Sequence, residues 1–144
     1  MRKLKPKFVY HGSQSLFEKL IPYQAKDNTD TGSQVGIYAC EHFSRVIPFA
    51  LPIRWHPDTP LGKRDFRCKD GMTFIEHGSL NPNGFGYIYK LKSENFEQID
   101  DWQWISYVEV TPVEIVKIAV KDYWHTVTFS SEASNINNLL YANQ

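Results

Sequence analysis

The stretch Phe8-Val9-Tyr10-His11-Gly12-Ser13 decides how this chain is read. An apolar, β-favouring run ends abruptly in a polar turn that contains a glycine. That is the pattern of a buried strand delivering a polar side chain to the end of a sheet. A second stretch, Val35-Gly36-Ile37-Tyr38-Ala39-Cys40, has the same design. The rest of the chain then reads as scaffold that brings the two strands together and closes a cleft over them. Two ordinary core strands, each with a polar residue at its rim, are the plainer alternative.

Working outward, Ser13 or Ser15 can cap a short helix to about Leu20, with Leu16, Phe17 and Leu20 on one face and Pro22 as its stop. Gln24 to Gln34 is polar and reads as a mobile loop. After the second strand, Glu41 and His42 lead into a helix with Phe43, Val46, Ile47 and Ala50 on one face. Pro48 predicts a kink or an early end to it. Pro52, Pro57 and Pro60 mark an irregular segment, and Lys63 to Arg67 a charged surface.

The second half reads as β, with strands at Met72–Glu76, Phe85–Leu91, Gln103–Val110 and Val113–Val120. Trp102 is expected in the core and Trp104 in a loop. One short helix is expected through Leu139, Leu140 and Tyr141. No βαβ repetition and no internal repeat is visible. The order predicts an α+β fold, with helices mainly in the N-terminal half and a largely antiparallel β second half. Residues 1–144 are read as a single domain.

Sixteen basic residues balance sixteen acidic ones, so the formal net charge is zero. That gives no strong nucleic-acid signal, since electrostatic binders carry an excess of Lys and Arg. The local run Arg2, Lys3, Lys5 and Lys7 reads as a solvated terminus. Four Trp and eight Tyr suit a core, and also a pocket that takes flat rings. Cys40 and Cys68 have no CxxC spacing. With no signal peptide or membrane-spanning run in view, a reduced cytoplasmic compartment is the simplest expectation, export as an effector being the alternative.

The five histidines, His11, His42, His56, His77 and His125, show no zinc-site spacing, so no metal is expected. Phosphate loops, dinucleotide fingerprints and nucleophile elbows are absent. What remains is His11 after one strand, Tyr38 on the next, and the late acids Glu109 and Glu114. Tyr38 offers a flat face for a nicotinamide ring, and His11 a hydrogen bond for a ribose hydroxyl. Gly12, without a β-carbon, lets backbone approach a carboxamide. A carboxylate can favour the positive charge that develops as a glycosidic bond breaks. Such a site would split NAD at the nicotinamide bond.

Tyr10-His11-Gly12-Ser13, then Leu20-Ile21-Pro22, then Gly36-Ile37-Tyr38-Ala39 before a helix with Phe49-Ala50, resembles the front half of the ADP-ribosyltransferase-like superfamily. The likeness is to its His–Tyr–Glu branch and to small bacterial and phage proteins of that fold. Trp104-Ile105-Ser106 followed by Val110-Thr111-Pro112-Val113 is similar to a segment of such small proteins. The resemblance implies split antiparallel β-sheets and NAD as substrate, bound by His11, Gly12, Ser13 and Tyr38. Phe43 or Phe49 would be the second stacking aromatic. It implies His11 with Glu109 or Glu114 as the reacting groups, and ADP-ribose transfer to a macromolecular acceptor or NAD cleavage. Two alternatives stand beside it. One is a degenerate module of the same fold that binds a nucleotide or protein without chemistry. The other is an NAD-dependent RNA 2′-phosphotransferase, which needs arginines around a phosphate and has Arg45, Arg54, Arg64 and Arg67 to draw on.

Overall fold

A computed structural model describes residues 4–24, 35–54 and 66–141. In chain order its elements are β1 (Phe8–Ser13), β2 (Tyr23–Gln24), β3 (Val35–Ala39), α1 (Phe43–Ala50), β4 (Ile53–Arg54), β5 (Phe66–Lys69), β6 (Met72–Ile75) and β7 (Ser79–Leu80). There follow β8 (Phe85–Lys92), β9 (Phe96–Gln98), β10 (Trp104–Ser106), β11 (Glu114–Ala119), α2 (Val120–Tyr123), β12 (Val127–Phe129) and α3 (Ser131–Tyr141). The expected loop over 25–34 and the segment carrying Pro57, Pro60, Lys63 and Arg64 lie outside the described residues.

The strands form sheets in the orders β1-β8-β11, β2-β3-β10-β9 and β12-β6-β5, with β4 and β7 as a further pair. All pairings are antiparallel except β12 with β6. The fold is therefore α+β, with mostly antiparallel sheets and few helices. The helices do not gather in the N-terminal half: α1 stands there alone, while α2 and α3 follow the last long strand.

The helix expected from Ser13 to Leu20 is absent, because tertiary partners take its backbone groups. Ser13 stays in β1 opposite Tyr87. The Phe17 N–H donates to the Tyr89 hydroxyl (2.7 Å), and Leu20 exchanges both backbone bonds with Val110 (2.9 and 3.0 Å). Amides so committed cannot close helical turns, and such contacts outweigh a weak local propensity. The strand expected over Gln103–Val110 shortens to β10 for a related reason. Asp100 Oδ1 accepts from the Trp102 and Gln103 N–H groups (2.8 Å each), which turns the chain just before the strand. That turn leaves Trp102 half exposed, and Trp104 goes into the core, the reverse of the sequence expectation.

At the tail, the Ser130 hydroxyl accepts from the Ala133 N–H (3.1 Å) and caps α3. The helix turns Ala133 and Asn137 inward and leaves Leu139 and Leu140 exposed. Asn137 Oδ1 accepts from the Leu80 N–H (2.7 Å), satisfying an amide of the short β4–β7 pair.

The sheet β1-β8-β11 is covered on both faces, which explains why β8 buries Ile88 and Tyr89 in succession. One face carries Tyr10, Gly12, Gly86 and Ile88 toward α1 and a core that includes Val46, Ala50, Leu51, Ile75 and Val120. The other carries Val9, Tyr89 and Leu91 toward Leu20, Ile37, Ala39, Phe96 and Trp104. α1 lies directly on the strands at two glycines. A β-carbon at Gly12 would strike the Val46 carbonyl oxygen, and one at Gly86 the Ala50 carbonyl oxygen. Pro48 sits buried inside α1, which ends two residues later at Ala50.

The Asp70–Gly71 turn joins β5 to β6 with positive φ at both residues (52° and 82°), the two-residue hairpin geometry that Asp-Gly favours. Its tip meets the start of α1, where Arg45 pairs with Asp70 at 3.4 Å.

Two substitutions test this packing by denaturant unfolding. Gly86→Ala is expected to lower stability by about 1–3 kcal/mol, since helix backbone must shift to admit a methyl group. Thr73→Val is expected to raise it by about 1 kcal/mol, because the Thr73 hydroxyl is buried with no hydrogen-bond partner among the described residues.

Candidate functional site at the seam of two sheets

Strand β1 is hydrogen-bonded to the chain at the end of β3 through one isolated bridge. The Tyr10 N–H donates to the Cys40 carbonyl (2.7 Å) and the Cys40 N–H to the Tyr10 carbonyl (2.9 Å). This antiparallel bridge links the sheet β1-β8-β11 to the sheet β2-β3-β10-β9. His11 is the next residue of β1, buried, and its Nδ1–H donates to the Tyr38 carbonyl (2.6 Å). A carbonyl can only accept, so the proton resides on Nδ1 and Nε2 carries the lone pair. Burial holds the His11 pKa below its ordinary value, against the smaller upward pull of the bond to Tyr38. The imidazole is neutral at neutral pH and fixed in one tautomer.

Tyr89 lies across from His11 on β8, with ring centroids 6.1 Å apart. Its hydroxyl donates to the Ser15 carbonyl and accepts from the Phe17 N–H, both at 2.7 Å. Burial pushes the Tyr89 pKa up, so the phenol keeps the proton it donates. The chain after β1 is thereby strapped down beside His11. Ser13 takes part in this turn, its hydroxyl accepting from the Ser15 N–H at 3.1 Å.

The other residues singled out from sequence are spread more widely. Tyr38 pairs with Ile105, while its neighbours Ile37 and Ala39 point into the second core. Strand alternation therefore sets its ring on the opposite face of the sheet, and His11 reaches it through the main chain. Gly12 faces α1, whose backbone fills the space its missing β-carbon leaves. Phe43 packs edge-on against Tyr10 (5.7 Å) at the first core, and Phe49 is half exposed, edge-on to Phe66 (6.2 Å).

Of the two acids, Glu114 is opposite Lys90, which is opposite Tyr10. It thus shares a face with Gly12 and not with His11. Glu109 is exposed and pairs with Lys19 at 3.2 Å. The arginines are not gathered either: Arg45 stacks on Trp102 (3.6 Å to the ring centroid), Arg67 pairs with Glu76 (2.6 Å), Arg54 is exposed on β4, and Arg64 lies outside the described residues. Among the described residues, no group of three or more His, Cys, Asp or Glu could hold a metal ion. No helix of the described residues is long and apolar enough to cross a membrane.

One carboxylate near the seam escaped the sequence reading. Glu41 follows Cys40 directly, its side chain is only 11% exposed, and it lies 3.7 Å from His42 Nε2. The signal that could have found it is an acid placed between an aromatic-bearing strand and the helix that follows. No protein-family model matches the chain, and no curated protein or solved structure matches it.

His11 gives this site a pH signature. The unfolded chain takes up a proton near pH 6.5, which the buried ring resists, so stability is complete above that value and is lost as pH falls below it. The expected outcome for His11→Leu is lower stability at pH 7.5, by about 1–3 kcal/mol for the orphaned carbonyl. The same variant should show a shallower loss of stability between about pH 6.5 and 5. Equal acid sensitivity in the two proteins would rule out His11 as the source.

Proposed function

We propose that this chain is an NAD-binding protein of the ADP-ribosyltransferase-like kind, which splits NAD at the nicotinamide bond or transfers its ADP-ribose to a macromolecule. The observation that carries the reading is the bond from His11 Nδ1 to the Tyr38 carbonyl at the seam of two sheets. It joins the His11 side chain to the main chain of Tyr38, the two residues to which the sequence resemblance gives the ribose and the nicotinamide ring, with the Tyr38 ring on the other face of its sheet. It also fixes the tautomer in which Nε2 is an acceptor, a role that a ribose hydroxyl can match by donating.

A second reading, a nucleotide-binding module without chemistry, is favoured by the acids. Glu114 is on the far face from His11, and Glu109 is held in a surface pair with Lys19. Cleavage needs a carboxylate where charge develops in the transition state. Glu109 and Glu41 are the residues to test for that role.

The deciding experiment titrates the protein with NAD and follows nicotinamide release over hours. Binding with release is the expected outcome, and Tyr38→Ala is expected to weaken binding by about 1–3 kcal/mol if the ring stacks as on a base. Either Glu109→Gln or Glu41→Gln should then lower the rate with little effect on binding, since charge stabilisation acts mainly in the transition state. Binding without release points to the module or to a transferase without its acceptor, and absence of binding removes NAD as the ligand.

A further inference from the structure

The turn ahead of β8 carries a reactive pair that the seam does not use. In Asn81-Pro82-Asn83-Gly84 the Gly84 N–H donates to the Asn81 carbonyl (3.0 Å), and the Asn83 N–H donates to Asn81 Oδ1 (2.9 Å). Asn83 is exposed. It is the one asparagine in the sequence that a glycine follows. The glycine matters for chemical reasons. Without a β-carbon, Gly84 lets its own nitrogen come against the Asn83 side-chain amide, and the backbone there turns with little steric resistance.

We propose that Asn83–Gly84 is a site of spontaneous covalent modification. The Gly84 backbone nitrogen gives up its proton and attacks the side-chain carbonyl carbon of Asn83. A nitrogen–carbon bond forms and the side-chain carbon–nitrogen bond breaks. Ammonia leaves, taking up the proton that the nitrogen gave up. The product is a five-membered cyclic imide, which water then opens. Opening at the side-chain carbonyl leaves aspartate at position 83. Opening at the main-chain carbonyl leaves isoaspartate, in which the backbone runs through the former side chain. Water is the sole co-reactant.

The fold sets both the rate and the consequence. In the closed turn Asn81 holds the proton of the attacking nitrogen, so the reaction proceeds from the opened turn. Exposed turns open at far lower cost than the core. Beyond the turn, the Gly84 carbonyl accepts from the Val120 N–H (3.0 Å), and Gly86 is pressed against the Ala50 carbonyl of α1. Isoaspartate lengthens the backbone directly ahead of these contacts. Aspartate keeps the backbone as it was and adds only a negative charge, to a chain whose formal net charge is zero. This inference does not rest on NAD binding.

The test holds the whole folded chain at neutral pH and physiological temperature for weeks and follows every asparagine by peptide mapping, where conversion adds about 1 Da. Asn83 is expected to convert before any other asparagine and to give both isomers, which ion exchange separates from the parent by their added charge. Asn81→Ala removes the acceptor of the Asn83 N–H and should raise the rate by about two- to tenfold, the factor that one hydrogen bond is worth. Gly84→Ala sets a β-carbon 3.0 Å from Pro52 Cγ, a contact that a small shift relieves. It should lower the rate by about tenfold or more, because the methyl group obstructs ring closure. In denaturant unfolding the isoaspartate form should be the least stable and the aspartate form close to the parent. Equal stability of the two isomers would overturn the consequence assigned to β8. An Asn83 still intact when another asparagine has converted overturns the site itself. So does an unchanged rate in Gly84→Ala, since the Gly84 nitrogen would then not be the nucleophile.

Discussion

The fold depends on a close approach between backbone and backbone. Helix α1 lies on β1 and β8 at Gly12 and Gly86, where any larger residue would drive a β-carbon into helix carbonyls. Interiors packed to this density have no slack to absorb a methyl group. The contact fixes the height of α1 above the sheet, and much else follows from it. The first core forms beneath the helix, the β5–β6 hairpin meets its first turn through Gly71 and Ser44, and Arg45 is set between Asp70 and Trp102. Gly12 is thereby accounted for by packing, whatever the neighbouring His11 does.

The seam is held differently. Two backbone bonds between Tyr10 and Cys40 and one side-chain bond from His11 to Tyr38 join two sheets whose facing sides also pack as the second core. The buried imidazole at that junction has one proton, one acceptor nitrogen and a defined orientation. It is suited to hold a hydroxyl group and not to carry charge, since burial disfavours the imidazolium.

The sequence made the elements with strong period or punctuation legible. β1, β3, β8, β11 and α1 all stand within a few residues of their expected positions. So does α3, although its buried face is built on Ala133 and Asn137, not on the leucines. The missing helix after Ser13 and the exchanged roles of Trp102 and Trp104 share a cause. Each was decided by a partner remote in sequence or by one side-chain turn: Tyr89 for Phe17, Val110 for Leu20, Asp100 for the loop. The Asp70–Gly71 hairpin carried a clear local signal that composition alone obscured. At the site, the pairing of His11 with Tyr38 was foreshadowed by two strands of like design. The face on which each acid lies depends on the register of β8 with β1 and β11, and no single strand reveals it.

The way β1 is satisfied also has a consequence for how the chain comes together. Its ladder partner is β8, and the clasp from the Tyr89 hydroxyl to the Ser15 carbonyl spans 74 residues. During synthesis the first strand therefore emerges long before its ladder partner, while the contacts with Tyr38, Cys40 and α1 are nearer in the chain. Topologies dominated by such distant pairings fold slowly, because loop closure is paid in entropy before contacts return it. An early strand with Phe8, Val9 and Tyr10 in view is the part of the nascent protein most open to a chaperone or to another chain.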